Sequence, residues 1–389
     1  RINPLAIYSP CACHTLNLCS VNAAECCPGA ITFSGNVQKL FNFFSSSPTR
    51  WEILTGNIDG SLNSTSQTRW SARIDAVKPI AQKLPGILKS LREVEQKLDN
   101  SAESKTDLKA LTKYFSSFKA LILLATWFKI LQAIDYRSKV LQSRDSTIDE
   151  EQRNLQSLVE NLKHLRNNWD AIYNEACFVA EELNITPQLK ESRAIARELR
   201  GSSEEHKKAQ AVSQFKIDVF LPIIDNVIAG IDRRFQSIYE INNKFSFLWQ
   251  YPNLSETELS KKASTFADVY KDDISPDFTE EILFLKSIHT ANLKEPSKPG
   301  EISKPLGPLA ILNKLNALNL LNLFPNVSIA LRIFLTLPVG VATAERSFSK
   351  LKLIKSYLRS TIGQARLNSL ASLSIESDIA ENLNYEHVI

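Results

Sequence analysis

Apolar positions recur at helical spacing along most of the chain, separated by a few polar or proline-bearing stretches. From Cys13 to Cys27 the stripe is Leu16, Cys19, Ala23 and Cys27, with Pro28 closing the run. Val37, Leu40, Phe41 and Phe44 predict a second helix, stopped by the turn Ser45-Ser46-Ser47-Pro48. Ahead of them, residues 4–8 form a short apolar run before Pro10 that reads as one buried strand. Residues 54–68, rich in Gly, Asn, Ser and Thr, read as a loop leading to Arg69-Trp70.

From about 74 to 185 the pattern is helical almost throughout. Leu84, Ile87, Leu88, Leu91, Val94 and Leu98 keep the i, i+3/i+4 rule, and Leu108, Leu111, Tyr114, Phe115 and Phe118 open the next stripe. Ala120–Trp127 is apolar nearly all round, which predicts a central core helix. Leu155, Leu158, Leu162, Leu165, Trp169, Ile172 and Ala176 extend the bundle. Residues 188–210 are polar and read as a linker, after which Ile224, Val227, Ile228, Ile231, Phe235, Ile238 and Ile241 predict one long helix. A further helix covers Phe278–Ala291, and the Pro/Lys/Gly/Ser-rich residues 294–308 form a second linker. In the last segment Leu309, Leu312, Leu315, Leu318 and Leu321 precede Phe324-Pro325, and an apolar run from Ile329 to Leu337 ends at Pro338. Thr343 then reads as an N-cap, with Glu345 in the first turn where a carboxylate suits the helix dipole. Phe348, Leu351, Ile354 and Leu358 form one stripe among lysines, and a helix from Gln364 carries Leu367, Leu370, Leu373 and Ile375. Stripes this apolar need a covering surface, from the same chain or from a second copy.

Composition narrows the class. With 43% hydrophobic and 23% charged residues in 389, the chain is neither a disordered tail nor a disulfide-stapled scaffold, and 11 Gly with 16 Pro favour long helices over a loop-rich β protein. A net charge of +4 permits a basic patch without implying nucleic acid. No run reaches the roughly 18 apolar residues of a membrane helix, so no membrane partner is expected. The chain opens with Arg1 and contains no Met, which reads as the interior of a longer protein. Cys11, Cys13, Cys19, Cys26 and Cys27 crowd the start, with Cys177 alone later; without a Cys-x2-Cys pair, free thiols are favoured over a structural zinc.

The stretch Leu337-Pro-Val-Gly-Val-Ala-Thr-Ala-Glu-Arg-Ser-Phe-Ser349 resembles the carboxy-terminal signature of hAT-family DNA transposases, and Lys350–Thr361 with Arg366–Leu370 looks like their dimerisation region. Cys11-Ala-Cys-His14 is similar to the family's Cys-x-x-His element, and Thr68-Arg-Trp-Ser71 to its Arg-Trp element. The look is that of transposon-derived proteins of the zinc finger MYM-type and THAP-linked repressor-like group. The resemblance implies a mainly α chain: an incomplete RNase H-like α/β core in residues 1–73, a helical insertion in 74–293, a linker at 294–308, and a core segment with the dimerisation region in 309–389. It also implies a nuclear protein, a homodimer in which Phe348, Leu351, Ile354, Leu358, Leu367 and Leu370 supply the contacts, and DNA as a partner of the full-length parent.

In a complete transposase of this kind three acids hold two Mg or Mn ions that activate a nucleophile for attack on phosphate. By motif Glu345 is the third acid, Cys11 and His14 lie near the site, and Arg69 and Trp70 flank the cleaved DNA end. The first two acids belong upstream of the Cys-x-x-His element, and Arg1–Pro10 contain neither Asp nor Glu. The expectation is a catalytically dead chain with no cofactor of its own, a relict Glu345, and dimerisation as the surviving activity. A fragment of an active transposase and a helical protein-binding scaffold are the alternatives. Each site residue also has a plain structural reading: Glu345 as a dipole carboxylate, His14 as a hydrogen-bonded histidine, Trp70 as a core tryptophan beside a guanidinium.

Overall fold

The computed structural model describes residues 5–7, 9, 11–65, 71–97, 101–141, 147–189, 203–292, 306–337, 342–356 and 359–383. Among these residues there are helices and connections but no strand. The first group is α1 (Ala12–Ala24), α2 (Pro28–Ser45), α3 (Pro48–Asn57), α4 (Ser71–Lys97), α5 (Ala102–Phe115), α6 (Phe118–Leu141), α7 (Ile148–Asn167) and α8 (Trp169–Glu182). After the gap come α9 (Glu204–Phe215), a π-helical turn (Lys216–Phe220), α10 (Leu221–Arg234) and α11 (Gln236–Phe245). Then follow α12 (Phe247–Gln250), α13 (Glu256–Val269), α14 (Phe278–Asn292), α15 (Pro308–Ala317) and α16 (Pro325–Leu335). The C-terminal helices are α17 (Ala342–Ile354), α18 (Gln364–Ile375) and α19 (Ser377–Ala380).

The helix with no polar face becomes the axis of the bundle. In α6, Phe118, Leu121, Ile122, Leu123, Leu124, Trp127, Ile130, Leu131 and Ile134 are all buried, and α4, α7, α8 and α1 pack around it. Trp127 stacks on Phe33 of α2, with ring centroids 6.2 Å apart. A single apolar core runs from Leu16 through Phe334, so the helices of residues 11–65 are built into the same core as those of the expected insertion.

Helix starts and close approaches follow local chemistry. Pro28 and Pro48 occupy first turns, where a missing N–H costs nothing, so each begins a helix. In α4, Pro85 follows a break at Lys83, where the backbone leaves helical geometry with φ −128° and ψ 23°, and the Asp75 carbonyl that Pro79 cannot donate to accepts from the Asn63 side chain at 3.3 Å. Gly86, just after that break, lets α3 come close: a Cβ there would stand 2.6 Å from the Asn57 carbonyl oxygen. Gly230 does the same for α1 against α10, where a Cβ would lie 3.3 Å from Cys19 Sγ. Burial pushes the Cys19 thiol up to about 11.

α13 is fixed by a capping box: Ser255 accepts from the Glu258 backbone N–H, while the Glu258 carboxylate accepts from the Ser255 backbone N–H. Phe245, Phe247, Phe266, Tyr270 and Phe278 pack ring on ring beneath it. Glu281 of α14 accepts from the N–H groups of Asn326 and Val327, satisfying the first orphan donors of α16. Among the described residues one buried carboxyl is unpartnered. Glu151 in α7 is fully buried, neither oxygen has a hydrogen-bond partner, and burial pushes its carboxyl up to about 9.

Several expectations are corrected. An RNase H-like α/β core is not supported: the described residues carry no strand, and Leu5 and Ile7 are half-buried against helices rather than paired in a ladder. The loop read over 54–68 begins later, because α3 continues to Asn57. Residues 204–210 of the expected linker are helical, with Ser203 accepting from the His206 N–H as N-cap. The long helix read through Ile241 breaks at Phe235, which leaves helical geometry between α10 and α11. α17 starts at Ala342, so Thr343 lies inside its first turn rather than capping it. No single described helix is long and apolar enough to cross a membrane.

Candidate self-association site

The carboxy-terminal helices pack chiefly on one another: the principal neighbour of α17 is α18, and α19 follows directly on α18. Lys350 of α17 donates to the carbonyl oxygens of Ser374 and Ile375, so its ammonium meets the negative end of α18. Leu367 is buried within this hairpin and forms its inner seam. Little else in the hairpin is covered. Phe348 is 70% exposed and Leu353 80%, and Leu373, Ile379 and Leu383 are exposed as well. Leu351, Ile354 and Leu370 are half-buried. Single exposed apolar residues are ordinary, but this many on about forty residues is the signature of an interaction surface.

Of the residues expected to form the dimer contact, Phe348 therefore faces solvent, Leu351, Ile354 and Leu370 are partly available, and Leu367 is spent inside the hairpin. Leu358 lies outside the described residues. Leu353, the most exposed, falls off the stripe drawn from the periodicity. Its signal was simply a large apolar side chain between Lys352 and Ile354.

A second uncovered apolar surface sits where α15 turns into α16. Asn319, with φ 57°, takes the left-handed conformation, and the Leu320 N–H reaches back to the Leu315 carbonyl at 2.8 Å to close α15. The turn leaves Leu318 and Leu323 exposed. Beside it the ring of Phe284, also exposed, stacks on buried Phe324 with centroids 5.8 Å apart. Sequence reasoning missed Phe284; its place opposite an exposed corner depends on tertiary packing.

Of the remaining expected site residues, Cys11 and His14 have described side chains, both at the start of α1. Cys11 is half-buried at the N-cap of α1, and His14 is exposed in its first turn. The principal neighbours of α1 are α10, α6 and α2. Glu345 lies on α17, its side chain outside the described set, and Arg69 and Trp70 lie outside the described residues altogether. Among the described residues no three His, Cys, Asp or Glu side chains are grouped to hold a metal ion. Cys11, Cys19, Cys26, Cys27 and Cys177 are free thiols. A cleft of about 1070 Å³ opens elsewhere, between the α5–α6 corner and residues 183–189, and none of these site residues lines it.

Residues 298–379 match the hAT family C-terminal dimerisation region, a segment that takes in both uncovered apolar surfaces apart from Phe284 and Leu383. The chain thus carries a dimerisation region of the hAT type. Along 98% of its length it is also similar, at 21% identity over 397 residues, to the 52 kDa repressor of the inhibitor of the protein kinase from Homo sapiens. The protein of the same description from Mus musculus is 22% identical over 409 residues, again across 98% of this chain. The chain covers 50% and 51% of these two proteins, so it spans about half the length of the curated relatives it matches.

Proposed function

We propose that this chain is the self-associating part of a transposase-derived protein, forming a homodimer through the α17–α19 hairpin. The observation that carries the reading is the exposure of Phe348 and Leu353 within a segment of the dimerisation type. Two helices cannot cover an apolar surface this large alone, and a second copy removes it from water at roughly 25 cal/mol per Å². In this reading Glu345 is a relict of a catalytic position and the chain has no strand-transfer activity of its own. The protein works in the nucleus, in line with relatives described as repressors, and any DNA contact belongs to the full-length parent.

Sedimentation equilibrium at micromolar concentration tests the central claim. A mass twice 43.7 kDa is expected, falling to a monomer in Phe348→Lys/Leu353→Lys with an unchanged circular-dichroism melt. A monomeric unmodified chain would refute it. Metal-dependent strand transfer by the isolated chain would overturn the catalytically silent part.

A further inference from the structure

We infer that the corner formed by Phe284, Leu318 and Leu323 is the seat for the hairpin of a second copy, so that two chains exchange hairpins reciprocally. The inference rests on the dimer reading and specifies its geometry. Charge decides between this arrangement and the simpler one in which two hairpins face each other. From Phe348 to Ile375 the two longer helices of the hairpin and their connection carry Lys350, Lys352, Lys355, Arg359 and Arg366 and no Asp or Glu, while the exposed Glu376, Asp378 and Glu381 lie on and beside α19 at its far end. Laid face to face, two such hairpins bring like charges together around the apolar contact, and like-charge juxtaposition opposes pairing.

The corner has the opposite character. From Leu315 to Leu331 there is no charged residue at all, and the exposed polar groups there include the neutral amides of Asn316, Asn319 and Asn322. At its rim stand Glu280, exposed one helical turn before Phe284 on α14, and Lys314, one turn before Leu318 on α15. A neutral apolar seat with one charge of each sign at its rim suits an apolar hairpin edged by lysines, whose stems can cover apolar surface while their charges stay wet. Two-fold symmetry then uses each surface twice: the hairpin of one copy on the corner of the other, and the reverse. Both surfaces, Phe284 and Leu383 aside, fall inside the matched dimerisation segment.

The test uses the full chain and two double variants at exposed positions, Phe284→Lys/Leu323→Lys in the corner and Phe348→Lys/Leu353→Lys in the hairpin. Thermal melts by circular dichroism establish that both stay folded. Reciprocal exchange predicts that either variant alone raises the dimer Kd at least about tenfold. Mixing the two, with distinguishable tags, is expected to recover association through the one junction that pairs an intact hairpin with an intact corner. A corner variant that dimerises as tightly as the unmodified chain overturns the exchange while leaving the dimer intact. A corner variant impaired alone but not rescued by the hairpin variant also overturns it. An unmodified chain that stays monomeric removes the dimer reading itself, and is seen before either variant is made.

Discussion

The bundle α1–α16 and the hairpin α17–α19 obey the same helix chemistry yet reach opposite ends of the burial scale. In the bundle, apolar stripes close on one another: Phe115, Ile122, Ile130, Phe235 and Phe245 are completely buried, and the rings behind α13 interlock. In the hairpin Leu367 alone is buried among the described residues, and Phe348 and Leu353 are left to solvent. Amphipathicity supplies a sticky face, but only the number of available partner faces decides whether that face becomes core or interface.

The largest effect that separates the two regions is a cavity in the bundle. Phe115→Ala should cost about 3–5 kcal/mol in urea unfolding, whereas Phe348→Ala should move the melt of the monomer by no more than about 0.5 kcal/mol. Equal costs would mean that the hairpin is part of the core. Leu367→Ala comes next, at about 2–3 kcal/mol, felt as melting of the hairpin alone and read by hydrogen exchange over residues 342–383 against an unchanged bundle.

Glu151 gives an effect of similar or smaller size with a pH signature. Its carboxyl is held up to about 9 against a usual 4.5, so the folded chain keeps a proton that the unfolded chain releases. The stabilising contribution of that proton is complete below about pH 4.5 and is lost as pH rises toward 9. Glu151→Gln should flatten this slope, and Glu151→Leu should add about 1–3 kcal/mol at pH 8 by removing an unpaired buried polar group. A variant whose stability tracks that of the unmodified chain from pH 5 to 9 would contradict the burial of this group. The smallest effect is Ser255→Ala, about 1 kcal/mol through loss of the α13 cap, with no change in association.

How much of this was legible follows from where the information lies. The core role of Ala120–Trp127 could be read directly, because a helix apolar on every side has only one place to go. α13 carries its own signature, a Ser-x-x-Glu box at Ser255 and Glu258 ahead of Leu259, Ala263 and Phe266, and is legible from local chemistry. Pro28 and Pro48 look like stops in the sequence, yet the same ring geometry serves a first turn equally well. The α/β core was an inheritance from resemblance; residues 12–57 contain helical stripes and capping signals that local chemistry follows instead. In the candidate site, Phe348 and the apolar hairpin were visible as a pattern, whereas Phe284 and the spent Leu367 depend on which faces meet in space.

Gly230 has a practical consequence for watching this molecule move. By letting α1 and α10 touch, it seals Cys19 at the centre of their seam, fully buried and with a thiol held up to about 11. Cys11 and Cys177, only half-covered, are positioned to meet a soluble alkylating reagent first, whereas burial and neighbouring Cys27 push the half-covered Cys26 thiol up. Modification of Cys19 therefore requires the two helices to part, and its rate under native conditions is a clock for that opening. The chain carries, without any engineered label, a reporter that ticks only when its amino-terminal helix lets go.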